Sequence, residues 1–149
     1  MNQFTFRLER VRALRERGED LAKQELAGAL THRQGCEERL RETGAELDLA
    51  RARQRDLAAG GPASALDMIA RQQYLERVER NRMQGQQELM QSDAEVARRR
   101  ASLVEAARDR QALERLKERR RADHALALKR FEGAEMDEIA MTLHRRRAA

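Results

Sequence analysis

Apolar residues recur along this chain at alternating spacings of three and four, with charges between them, over nearly its whole length. In the first part, Leu26, Ala29, Arg33, Cys36, Leu40, Thr43, Leu47, Ala50, Gln54 and Leu57 form one unbroken series. Upstream, Val11, Leu14, Gly18 and Leu21 keep the alternation, offset by one residue near Leu21 and Ala22, and Phe4 and Leu8 carry it to the start. An α-helix turns once in about 3.6 residues, so this spacing gathers a single stripe and predicts a seam against another helix. Further on, Leu75, Arg82, Leu89, Val96, Leu103 and Arg110 repeat every seven residues, with Val78, Gly85, Ala106 and Leu113 at the companion positions. Glu19/Lys23, Glu37/Arg41, Glu76/Arg80 and Glu95/Arg99 add favourable charge pairs four residues apart.

The two series are separated by Gly60-Gly61-Pro62-Ala63, which holds the only proline. Gly60 suits a left-handed C-terminal cap, and Pro62 cannot continue the helix. Ser64-Ala-Leu-Asp67 then resembles a capping box, with Asp in place of the usual Glu. Helix stop, tight turn and helix start predict a helical hairpin. The expected fold is all-α: one antiparallel two-helix coiled-coil hairpin over 1–149, with helix 2–59, turn 60–63 and a longer second helix 64–144. At 1.5 Å per residue the arms measure about 85 Å and about 120 Å. Folding back pairs positions whose numbers sum to about 122, bringing Leu47 to Leu75 and Leu26 to Val96. Everything after about residue 120 is then an overhang without a first-arm partner, yet it carries Leu126, Leu128, Phe131, Met136, Ile139, Met141 and Leu143. Such an end either frays or docks on a partner, and docking is the preferred reading.

Composition agrees with long helices. Of the 149 residues, 38% are charged and 3% aromatic, and Ala, Leu, Arg, Glu, Gln and Met dominate. The net charge of +5 favours an acidic partner. No run of about 18 apolar residues occurs, so no transmembrane helix is expected, and the opening MNQFTFRLERVRALRER lacks the apolar core of a secretory signal. The lone Cys36 excludes an intramolecular disulfide and fits a reducing cytoplasm.

Candidate chemistry is thin. His32, His124 and His144 have no neighbours at ligand spacing. Cys36 falls on the seam, where a buried thiol packs rather than reacts. Glu132, Glu135, Asp137 and Glu138 could pair as carboxylates, but an exposed helix offers no pocket to shift their acidity. The Gly60-Gly61-Pro62 turn lacks the Lys-Ser/Thr of a phosphate loop. The expectation is a non-enzymatic protein with no metal and no cofactor. Basic runs stand at Arg98–Arg100, Arg119–Arg121 and Arg145–Arg147, with twelve Lys and Arg against five Asp and Glu between residues 98 and 130. A solvated face, an acidic protein surface and nucleic acid are the readings of this charge. Nucleic acid ranks last, because no stacking aromatics are interleaved.

The two ends together resemble the flagellar FliJ family of the bacterial type III export apparatus. The start, Phe4-Thr-Phe6-Arg7-Leu8 leading through Val11, Leu14 and Arg15 to Glu19-Asp20, is similar to that family's opening, in which aromatics two apart lead into an Arg-rich heptad. Tyr74-Leu75 after the turn and the ending Phe131-Glu132-Gly-Ala-Glu135-Met136-Asp137-Glu138-Ile139-Ala140 are similar too. The Gly-Gly-Pro turn and the low aromatic content depart from it. The resemblance implies a cytoplasmic hairpin like the central stalk of rotary ATPases, sitting in the hexameric export ATPase, activating it and linking it to the membrane export gate. It also implies an escort for subunit-specific export chaperones and contact with the ATPase's regulator, with peripheral association at the inner membrane of the flagellar base. No small-molecule substrate is implied. On this basis Phe4, Arg7, Val11, Arg15, Arg119, Phe131, Met136, Ile139 and Leu143 face the ATPase ring, and Tyr74, Leu75 and Val78 face the gate protein or chaperones. The alternatives are the equivalent stalk of a virulence injectisome, a plain coiled-coil scaffold, and a basic nucleic-acid-binding hairpin.

Overall fold

The structure, a computed structural model, describes residues 4–60 and 64–148. Two helices, α1 (Glu9–Gly60) and α2 (Ala65–Ala148), pack against each other in opposite directions as an all-α hairpin. The second is the longer, at 84 residues against 52. No strand occurs among the described residues.

The helix ends differ from those expected. α1 begins at Glu9 rather than at residue 2, because residues 4–8 take a non-helical path that buries Phe6. The Glu9 amide donates to the Phe6 carbonyl at 3.1 Å, and the Arg12 amide donates to the Leu8 carbonyl at 2.9 Å to open the helix. A glutamate in the first turn suits the positive end of the helix dipole. Gly60 closes α1 without a left-handed backbone, and the rest of the expected turn, Gly61–Ala63, lies outside the described residues. Ser64 precedes α2, its carbonyl accepting from the Met68 amide at 3.1 Å. Among the described residues the reciprocal side-chain bonds of a capping box do not form, since Asp67 is one methylene shorter than the usual Glu. α2 runs past residue 144 to Ala148, with Arg145, Arg146 and Arg147 in its last turn, where cations suit the negative dipole end.

Leu21–Val104 forms one compact unit. Its core is Leu47, Ala50, Leu75 and Val78, with Tyr74 packed against it. Cys36 and Val96 are buried further along. Burying a side chain such as Leu47 contributes about 2 kcal/mol. Charges flank this seam: Arg51 pairs with Glu79 at 2.9 Å, Arg39 with Glu88 at 3.9 Å, Arg33 with Asp93, and Arg99 with Glu25 at 2.6 Å. The register lies about one helical turn from the expected pairing. Arg33 meets Asp93 where a sum near 122 would bring Leu89, and Gly85 meets Leu40, its added Cβ falling 3.4 Å from the Leu40 Cδ1.

The second unit comprises Met1–Asp20 with Glu105–Ala149. Its seam is mainly ionic. Lys117 pairs with Glu9 at 2.9 Å, Arg12 with Glu114 at 3.8 Å, Arg15 with Asp109 at 2.9 Å, and Arg110 with Glu19. Apolar burial here is confined to Phe6. The stripe expected to seal this end points outward instead: Val11 is 41% and Leu14 66% exposed. The offset at Leu21 and Ala22 explains it. Burial keeps the phase of the downstream series, so Ala22 and Glu19 are buried while Leu21 and Gly18 are exposed.

Candidate partner-binding surfaces

The residues expected to face the ATPase ring fall within the unit of Met1–Asp20 and Glu105–Ala149. Residues 4–8, which do not continue the helix, lie over α2. The Phe4 ring meets the His124 ring at 5.6 Å, tilted by 57°, an offset that aromatic pairs favour. Phe4, Phe6 and Leu8 line a cleft of about 1230 Å³ with Leu116 and Ala127, and Arg7, Arg120 and His124 edge it. Thr5 and Asp123 complete its lining, so apolar side chains share the cleft with charges of both signs. Arg7 and Arg119 are exposed, whereas the Arg15 guanidinium is held by Asp109. Val11 is exposed because ion pairs occupy the seam beside it.

Beyond His124 and Leu128, α2 has no neighbour among the described residues: every residue from 129 to 147 is exposed. Phe131, Met136, Ile139 and Leu143 are 51%, 69%, 55% and 55% exposed. Met136, Ile139 and Leu143 follow a spacing of three and four and share one face, with Phe131 on its flank. The overhang expected from arm lengths is thus present, beginning a few residues later than 120 because Phe4 reaches His124.

Near the turn the expected set divides. Leu75 and Val78 are buried in the core at 8% and 1% exposure, spent on the hairpin itself. Tyr74 remains half-buried at the edge. Its hydroxyl donates to Glu46 Oε1 at 2.6 Å, and the Arg77 guanidinium lies 5.3 Å from its ring centre. The hydrogen bond to Glu46 holds the phenol's pKa above its ordinary value. Sequence reasoning missed a second surface in the same unit. Leu66, Met68 and Ile69 are 78%, 62% and 55% exposed, and Met68 and Ile69 line an apolar cleft of about 700 Å³ with Leu57 and Ala58. The available signal was three large apolar residues in the first turns of α2, of which only Met68 keeps the phase of the seven-residue repeat.

The remaining candidates are structural. Cys36 is 2% exposed, with the Arg39 guanidinium donating to Sγ at 3.2 Å and His32 Nδ1 3.8 Å away. Of the basic runs, Arg98 and Arg99 are tied to Glu95 and Glu25. Among the described residues no group of three His, Cys, Asp or Glu could hold a metal ion, and no helix is long and apolar enough to cross a membrane.

The profile of the family described as Flagellar FliJ protein matches residues 4–149. No similar curated protein and no similar solved structure is found.

Proposed function

The chain belongs to the flagellar FliJ family, whose members are non-enzymatic components of the flagellar export apparatus, and from that premise we propose that it is the central stalk and activator of the hexameric export ATPase. In this proposal residues 1–149 act as one hairpin. Phe4, Arg7, Val11 and Arg15 meet the ring together with Arg119 and the overhang side chains Phe131, Met136, Ile139 and Leu143. The observation that carries it is the unsatisfied surface at this end: an α2 overhang exposed from residue 129 to 147 and a cleft lined by Phe4, Phe6 and Leu8. A free helix gains nothing by presenting that much apolar surface to water.

A six-fold ring and a single chain cannot match in symmetry. One stalk therefore meets ring subunits with different faces and biases them into different states, provided its contacts differ between those states. The other end, near the turn, takes the export gate protein and subunit-specific chaperones, and the ATPase's regulator completes the assembly at the cytoplasmic face of the inner membrane. Because Leu75 and Val78 are buried, a partner there meets Tyr74. No cofactor, metal, small molecule or nucleic acid enters this mechanism.

The test is ATP hydrolysis by the same organism's flagellar export ATPase, titrated with this protein. Stimulation should saturate near roughly one chain per six ATPase subunits, as one stalk in a closed ring requires. Absence of both binding and stimulation would leave a coiled-coil scaffold. The flagellar match favours this machine over a virulence injectisome.

A further inference from the structure

Along the seam, between Glu9 and Lys117, many carboxylates have a base within reach. Arg33 reaches Glu37, Arg99 reaches Glu95, and Arg51 reaches Glu79 across the seam. Among the described residues no ion pair forms past Lys117, and past Leu128 the sequence itself separates the charges. Glu132, Glu135, Asp137 and Glu138 have no Lys or Arg three or four residues after them, and the bases of this stretch lie at Lys129–Arg130 before the acidic block and at Arg145–Arg147 after it. Among the described residues none of these charges enters an ion pair, the ladder of paired charges ending at Lys117. The same stretch presents Met136, Ile139 and Leu143 on one exposed face.

We propose that residues 131–147 form a contact surface for a second copy of this chain, lying antiparallel. An acidic block followed by a basic block is complementary to itself only in reverse. A parallel copy sets acid on acid and base on base, which disfavours association. An antiparallel copy, with the two-fold axis near Ile139, turns Glu132 and Glu135 toward the Arg145–Arg147 run of the second copy, and the reciprocal pairs form by symmetry. That axis also lays Met136, Ile139 and Leu143 of both copies along one seam, so apolar burial and charge pairing demand the same arrangement. The proposal goes beyond the stalk function. The face assigned there to the ring is covered by a second copy when no ring is present, and the test contains no ATPase.

The test is sedimentation equilibrium of the full chain over a concentration series. A monomer–dimer equilibrium is expected, weakening as salt rises. Arg145→Glu, Arg146→Glu and Arg147→Glu together, or Glu132→Arg, Glu135→Arg and Glu138→Arg together, should each weaken dimerisation about tenfold or more. The chain carrying both exchanges should dimerise again, since its blocks are merely reversed. Circular dichroism verifies that helix is retained. Independently of those variants, Ile139→Cys should form an intermolecular disulfide under mild oxidation, while Leu30→Cys should not. A chain monomeric at every concentration, or a dimer indifferent to the single-block exchanges, would overturn the proposal.

Discussion

The Nε of Arg110 donates to the carboxylate of Glu19, joining α2 to α1 where the seam would ordinarily hold two apolar side chains. The Glu19 side chain is 9% exposed and that of Arg110 30%. A carboxylate this enclosed keeps its charge only beside a cation.

Glu19→Ala should therefore destabilise the protein by about 1–2 kcal/mol, the charged hydrogen bond being discounted because Arg110 keeps some solvent. Replacing both residues with Leu should restore stability or raise it, since well-packed apolar pairs commonly equal buried ion pairs. Urea unfolding of the three variants checks both parts.

In the other unit, Leu47 is 1% exposed at the centre of its core, whereas Leu49, two residues on, is 60% exposed. Leu47→Ala should cost about 2–4 kcal/mol, and Leu49→Ala less than about 0.5 kcal/mol. Comparable losses at both sites would mean that the seam does not run through Leu47.

A Cβ added at Gly28 meets nothing within 4 Å, but at Gly85 it comes 3.4 Å from Leu40 Cδ1. Gly28→Ala should stabilise by about 0.5–1 kcal/mol through helix propensity alone. Gly85→Ala should gain visibly less, because the Leu40 side chain must give way. Thermal melts of the two variants side by side measure that difference, and equal gains would place the helices further apart at Gly85.

Hydrogen bonds from Arg12 first and Lys117 second hold the Glu9 carboxyl below its ordinary pKa. Arg99 does the same for Glu95, with Arg98 adding its charge. A carboxyl whose pKa is lower folded than unfolded contributes stability above its unfolded value, about 4.3, and loses it as pH falls through the folded value. Urea midpoints should therefore be flat from neutrality down to about pH 5 and decline below about 4.3. Arg12→Gln should shrink that decline. Tyr74, raised by Glu46, behaves oppositely: its contribution is complete below about pH 10 and is lost as pH rises through its raised value.

Asp at both Met136 and Ile139 should leave helix content unchanged, since both side chains already face water, while abolishing stimulation of the export ATPase. Circular dichroism and the hydrolysis assay report the two halves separately. Full stimulation by that variant would remove the overhang from the ring contact.

The second helix was almost wholly legible in the sequence. Every position of its seven-residue series, from Leu75 through Arg110, is buried or half-buried, Arg82 and Arg110 included. The first series was equally readable from Leu26 to Ala50. It misled upstream, where Val11, Leu14 and Leu21 face water, because hydrophobicity cannot reveal that Glu9, Arg12 and Glu19 fill the seam by pairing with opposite charges on the other helix. Register slipped by about one turn because spacing along each helix says nothing about how the chain turns between them. The overhang followed from arm length alone, but the apolar surface of Leu66, Met68 and Ile69 did not, since Met68, seven residues before Leu75, would extend the seam by phase and yet is exposed.

Cys36 is the only cysteine in the chain, and it is sealed in the seam at 2% exposure. A thiol reagent can reach it only when the two helices part, so the rate of labelling is a direct clock for local separation of the hairpin in the unmodified protein. Labelling run with and without the export ATPase would time how often the helices open near Cys36, and would test whether the proposed ring contact changes that rate.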